Sequence, residues 1–110
     1  MERIQSIQDG DTLTIMLHGE IDHCSAEALR MGIESLIRPT GIRHMRLDFT
    51  NVSFMDRSGI GMIIGRYKTM AAKRGTVSAT GLFPPIDRLF RIAGLHRIIE
   101  IEPEERKENG

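Results

Sequence analysis

Phe54-Met55-Asp56-Arg57-Ser58-Gly59-Ile60-Gly61 is the stretch on which the reading of this chain turns. Apolar residues run up to Met55, and from Ile60 onward they return at helical spacing, so these residues mark a strand passing into a helix. The junction sets a serine hydroxyl at the positive end of a helix macrodipole, next to glycines that permit close approach of another chain. Such a position suits a phosphate that is added and removed.

Outward from the junction, Ile60, Ile63, Ile64, Tyr67 and Ala71 share the inner face of the second helix, which Gly75 stops. Ser58, Gly61, Met62, Gly65 and Thr69 fall at spacings of three and four on the face expected to point away from the core. They read as a shallow groove of small residues with one exposed methionine, a docking surface rather than a pocket. Upstream, Met45, Leu47 and Phe49 alternate with Arg46 and Asp48 as a strand, and Val52 and Phe54 extend the apolar supply. Ser25 is the expected cap of the first helix, whose stripe is Ala26, Leu29, Ile33, Leu36 and Ile37, with Pro39-Thr40-Gly41 as its stop. Before it, residues 4–8 and 13–17 flank Asp9-Gly10-Asp11, a hairpin signal.

Downstream, residues 76–80 read as a strand, and Pro84-Pro85 opens a third helix with Ile86, Leu89, Phe90 and Ala93 inside and Gly94 at its end. Residues 97–101 make a last strand, and 102–110 form a charged tail expected to be disordered. The order β-hairpin, α, β, α, β, α, β implies an α/β fold in one domain over residues 1–101, with a mixed, mostly parallel sheet and an N-terminal β-hairpin.

Composition narrows the function. At 110 residues the chain has the size of one domain, and its 40% hydrophobic and 27% charged content is ordinary for a globular protein. Lys+Arg and Asp+Glu balance at 15 each, so no basic field calls for nucleic acid or an anionic membrane. Trp is absent and aromatic content is 5%, which leaves no base-stacking platform. No apolar run approaches the roughly 20 residues of a membrane span, and no signal-peptide core follows Met1. A single cysteine makes no internal disulfide, and the chain is expected to be cytoplasmic.

On residues alone, Ser58 most simply caps or turns a helix. Gly59 and Gly61 argue for more, since each costs up to about 1 kcal/mol relative to alanine inside a helix. A nucleophilic serine fits poorly: the hydrolase elbow needs G-x-S-x-G, and Asp56 and Ile60 stand where glycine belongs. Gly59-x-Gly61 does not extend to a dinucleotide loop, because Ile64 fills the third glycine position. The four histidines and Cys24 lack metal-ligand spacing. No cofactor and no catalytic activity are expected.

The run Val52 to Gly61, continued by Ile64-Gly65-Arg66-Tyr67-Lys68, resembles the anti-sigma factor antagonists, small STAS-domain proteins of bacteria, and among them the sporulation anti-anti-sigma type of endospore formers. Gly19-Glu20-Ile21-Asp22-His23, Ile42-Arg43-His44 to Leu47, and Arg88-Leu89-Phe90 with Ala93-Gly94-Leu95 agree in order and spacing. The resemblance implies helices packed mainly on one face of the sheet and a partner-switching function. The unmodified protein would bind an anti-sigma factor that is also a serine kinase, freeing the sigma factor. Phosphorylation of Ser58 would abolish binding, and a PP2C-type serine phosphatase would reset it. The implied partner-binding residues are Asp22, His23, Asp56, Arg57, Ser58, Gly59, Gly61, Met62, Gly65 and Arg66. Arg57 departs from the family, which usually has a serine there, and it could pair with the new phosphate. The alternative is a STAS-type sensor or scaffold that binds a nucleotide or small ligand without being phosphorylated.

Overall fold

The computed structural model describes residues 3–38 and 41–103, and the charged tail expected from 102 onward lies outside them beyond 103. Strand β1 (Ile4–Asp9) pairs antiparallel with β2 (Thr12–Ile21), and the two-residue turn between them holds Gly10 at φ +64, as the Asp-Gly signal implies. Helix α1 (Ala26–Ile37) leads to β3 (His44–Met55), α2 (Arg57–Ala72), β4 (Thr76–Thr80) and α3 (Pro84–Ile92). A 3₁₀ turn at Leu95–Arg97 precedes β5 (Glu100–Ile101). The sheet order is β1-β2-β3-β4-β5, with every pair after the hairpin parallel.

Register puts Leu13, Met45 and Val77 in one row and Ile15, Leu47 and Ala79 in the next, all buried on the face that the helices cover. Phe90 of α3 meets Phe49 of β3 edge to face, with ring centroids 5.4 Å apart. Leu29, Ile33 and Ile37 bury the stripe of α1. The opposite face of the sheet is polar: Arg46 donates to Glu102 at 2.9 Å and to Thr14 at 3.1 Å, and His44 bonds the buried Ser78 at 2.9 Å. No helix of the described residues is long and apolar enough to cross a membrane.

Three local expectations change. Strand β2 runs four residues past Leu17, because a register shift around His18 and Gly19 (φ +90) lets the polar segment keep pairing with β3. Ser25 occupies the cap position of α1 without a side-chain capping bond. Asp22 does that work, its Oδ1 accepting the N–H groups of Cys24 and Ser25 at 3.0 Å each, while the Ser25 hydroxyl donates to the Glu20 carbonyl. The last strand is shorter than residues 97–101, since Leu95–Arg97 continues helically after Gly94.

Candidate functional site: the Ser58 groove

Strands β2 and β3 end side by side, with Ile21 paired to Met55. Asp22 and Asp56, the next residue of each strand, therefore lie at the same carboxyl edge of the sheet, and the Asp56 N–H donates to the Ile21 carbonyl at 3.1 Å. Ligand and partner sites of open α/β sheets collect at this edge. Asp56 is extended (φ −119, ψ −166) and caps α2, its Oδ1 accepting the Ser58 N–H at 2.8 Å. Ser58 is thus the second helical residue, half-buried, with no hydrogen bond from its hydroxyl to the described residues.

Asp22 is held below its ordinary carboxylate value, chiefly by the Ser25 backbone N–H. Desolvation opposes this, and the Ser25 hydroxyl, the Cys24 N–H and the Arg3 charge add to the lowering. Both aspartates at this edge accept backbone N–H bonds, so each is fixed in place by the turn it caps.

From Ser58 a groove of about 290 Å³ runs between α1 and α2, lined by Ala26, Glu27, Arg30, Ser58, Gly61, Met62, Gly65 and Arg66. A Cβ at Gly61 or Gly65 would touch nothing within 4 Å, so these glycines leave real space along the groove. Asp22, His23 and Arg57 lie outside its lining, with His23 and Arg57 exposed.

The groove corrects the expected helix face. The stripe from Ser58 to Thr69 turns toward α1, and Met62 is 5% exposed rather than a free surface methionine. Arg66 is also buried, its Nε 2.7 Å from Glu34 Oε2 on α1. The N–H does not point along that line, so the contact is an ion pair rather than a hydrogen bond. Thr69 donates to the same carboxylate at 2.9 Å. Ala71, expected inside, is exposed, whereas Met70 is fully buried. The cause is two neighbours: α2 packs on the sheet and on α1 at once, so it buries a wider arc than one apolar stripe.

Gly59 also has a different task from the one expected. It is buried, and a Cβ there would fall 2.8 Å from Met55 Sδ and 3.0 Å from Ile21 Cγ2. Its lack of a side chain lets α2 close on the strands, not an outside partner on α2. The contribution of α1 was missed. Glu27 and Arg30 stand three apart, a spacing that announces their ion pair, but nothing in a single segment announces Glu34 with Arg66.

The STAS domain family model matches residues 3–108. An anti-sigma F factor antagonist of Paenibacillus polymyxa is 37% identical over 81% of this chain and 76% of its own length. An anti-sigma-B factor antagonist of Listeria monocytogenes is 36% identical over 94% and 90%. Among solved structures, the anti-sigma factor antagonist SpoIIAA in its unphosphorylated form superposes with a TM-score of 0.80 at 27% identity, covering 94% of this chain and 89% of that one. Its phosphorylated form gives 0.73, again at 27% identity, over 94% and 92%. The chain belongs to the STAS-domain family of anti-sigma factor antagonists.

Proposed function

We propose that this protein captures an anti-sigma factor through the surface around Ser58, and that phosphorylation of Ser58 ends the capture. One observation carries the reading: at the edge where β2 and β3 end, Ser58 presents a hydroxyl without a hydrogen-bond partner among the described residues, at the mouth of an open groove. Asp22 and Asp56 stand at that same edge, with His23 and Arg57 exposed next to them in sequence, and Gly61 and Gly65 give a partner room to descend between the helices. Relatives named as antagonists of anti-sigma F and anti-sigma-B factors share one step, binding of an anti-sigma factor, and that step carries over to this chain.

The anti-sigma factor is also the kinase. Ser58 Oγ attacks the γ-phosphorus of ATP, the bond to the β-phosphate oxygen breaks, ADP leaves, and the hydroxyl proton passes to a base of the kinase. A PP2C-type phosphatase later transfers the phosphoryl group to water and restores the hydroxyl. The cycle runs in the cytoplasm, and this chain is its substrate and its ligand, not its catalyst.

The physics needs no large rearrangement. A phosphate adds about −1.5 to −2 charges, which the N-terminus of α2 tolerates within the fold. Against a partner the same dianion, beside Asp22 and Asp56, must be desolvated at a cost of several kcal/mol, and each 1.4 kcal/mol or so is a tenfold loss of affinity. The groove is open and flanked by charge, and no feature of it favours the alternative of a ligand sensor. Incubation with a matching anti-sigma kinase and ATP, followed by intact mass, tests the reading. One phosphoryl group is expected on the wild type and none on Ser58→Ala; modification of both proteins alike, or of neither, contradicts it.

A further inference from the structure

We propose that Arg30 leaves Glu27 to grip the phosphate on Ser58, so that modification also uncovers the Glu27 carboxylate on the docking face. This rests on Ser58 being the phosphorylated residue and names how its phosphate is held. Two guanidinium groups line the groove that begins at Ser58, and they differ in freedom. Arg66 is 6% exposed, tied to Glu34, and its Nη1 has no acceptor among the described residues. A buried donor left unpaired is costly, and the residue that carries it is one of those lining the groove that begins at Ser58. The groove wall therefore holds a fixed guanidinium with donor capacity to spare, which suits an anion.

Arg30 is the more exposed of the two. Its side chain is 42% exposed and forks onto Glu27, itself 67% exposed, with Nε donating at 3.0 Å and Nη2 donating to the second oxygen. An exposed pair of this kind is worth little, so it exchanges readily. A phosphate dianion in the same groove offers more charge and three acceptor oxygens in the geometry a guanidinium fork prefers. Arg57 is poorly placed for this: it is exposed and lines no part of the groove, since successive helical residues point about 100° apart.

The exchange changes what a partner meets. Before modification, Glu27 and Arg30 present a neutral pair on α1. Afterwards the guanidinium is turned onto the phosphate, and Glu27 stands unpaired beside it. Repulsion then comes from both helices that border the groove.

Phosphoserine installed at position 58 during synthesis tests the latch without any kinase, using ³¹P NMR titration of the full chain. The ordinary second ionisation of phosphoserine lies near about 6. The wild type is expected to titrate below that value, Arg30→Gln to rise by about half a unit or more, and Arg57→Gln to match the wild type. Glu27→Gln, which removes the competitor, is expected to lower it further. Far-ultraviolet circular dichroism verifies that each variant is folded, and Arg30→Lys, which keeps the charge without the fork, restores part of the shift. Coincident titration of wild type and Arg30→Gln overturns the latch. Failure of a kinase to modify Ser58 would instead defeat the functional reading, and the two failures are separable because the installed phosphate does not depend on the kinase.

Discussion

Arg66 of α2 and Glu34 of α1 form an ion pair, Nε to Oε2 at 2.7 Å, that ties together the two helices bordering the Ser58 groove. The arginine side chain is 8% exposed and the glutamate 23%. Glu34→Ala strands a buried guanidinium and deprives Thr69 of an acceptor. The expected loss is about 1–3 kcal/mol, less than for a fully buried pair because Glu34 is partly wet. Urea denaturation measures it, and Glu34→Leu combined with Arg66→Met is expected to recover most of the stability. An unchanged midpoint for Glu34→Ala would mean that the pair does not hold the groove's walls.

Gly59 and Gly61 are expected to respond oppositely to the same substitution. Gly59→Ala pushes a methyl into Met55 and Ile21 and costs about 1–3 kcal/mol. Gly61→Ala meets open space and gains helix propensity, so stability holds or rises by up to about 1 kcal/mol. Gly61→Gln is expected to leave the fold intact while filling the groove and weakening anti-sigma binding. Thermal melts with a binding titration separate these effects, and a Gly61→Gln protein that melts early would place that residue in the core instead.

Acid is expected to loosen the turn before α1 and the polar face of the sheet. Asp22 is lowered from 3.8, chiefly by the Ser25 N–H. For Glu102 burial pushes upward, but the Ser78 hydroxyl, Arg46 and His44 outweigh it and the net shift from 4.5 is downward. Both groups therefore bind protons more readily unfolded than folded. Their contribution is complete above those ordinary values and disappears as pH falls through the lower folded values. Asp22→Asn with Glu102→Gln is expected to flatten the fall of the melting midpoint below about pH 4.5. A slope equal to that of the wild type would contradict the assignment.

Most of the fold was legible because apolar residues repeat at two periods: Met45, Leu47 and Phe49 alternate, and Leu29, Ile33 and Ile37 step by four. The strand-to-helix junction was legible because the apolar period changes across it, but the cap expected at Ser58 is supplied by Asp56, and Ser58 is the second helical residue. The outer face of α2 was misread because Met62 and Arg66 gain their burial from α1, and a contact between helices leaves no period in either one. Gly59 was misassigned for a similar reason. A glycine that admits a partner and one that admits the protein's own strands look alike until Met55 is seen against it.

Affinity for the anti-sigma factor, measured for the unmodified protein, the Ser58-phosphorylated protein, Ser58→Ala and Ser58→Asp, decides whether the phosphate on Ser58 ends capture. Ser58→Ala is expected to bind as the unmodified protein does. The phosphorylated form is expected to bind about a hundredfold or more weakly, with Ser58→Asp also clearly weakened. Equal affinity of the phosphorylated and unmodified forms would contradict it.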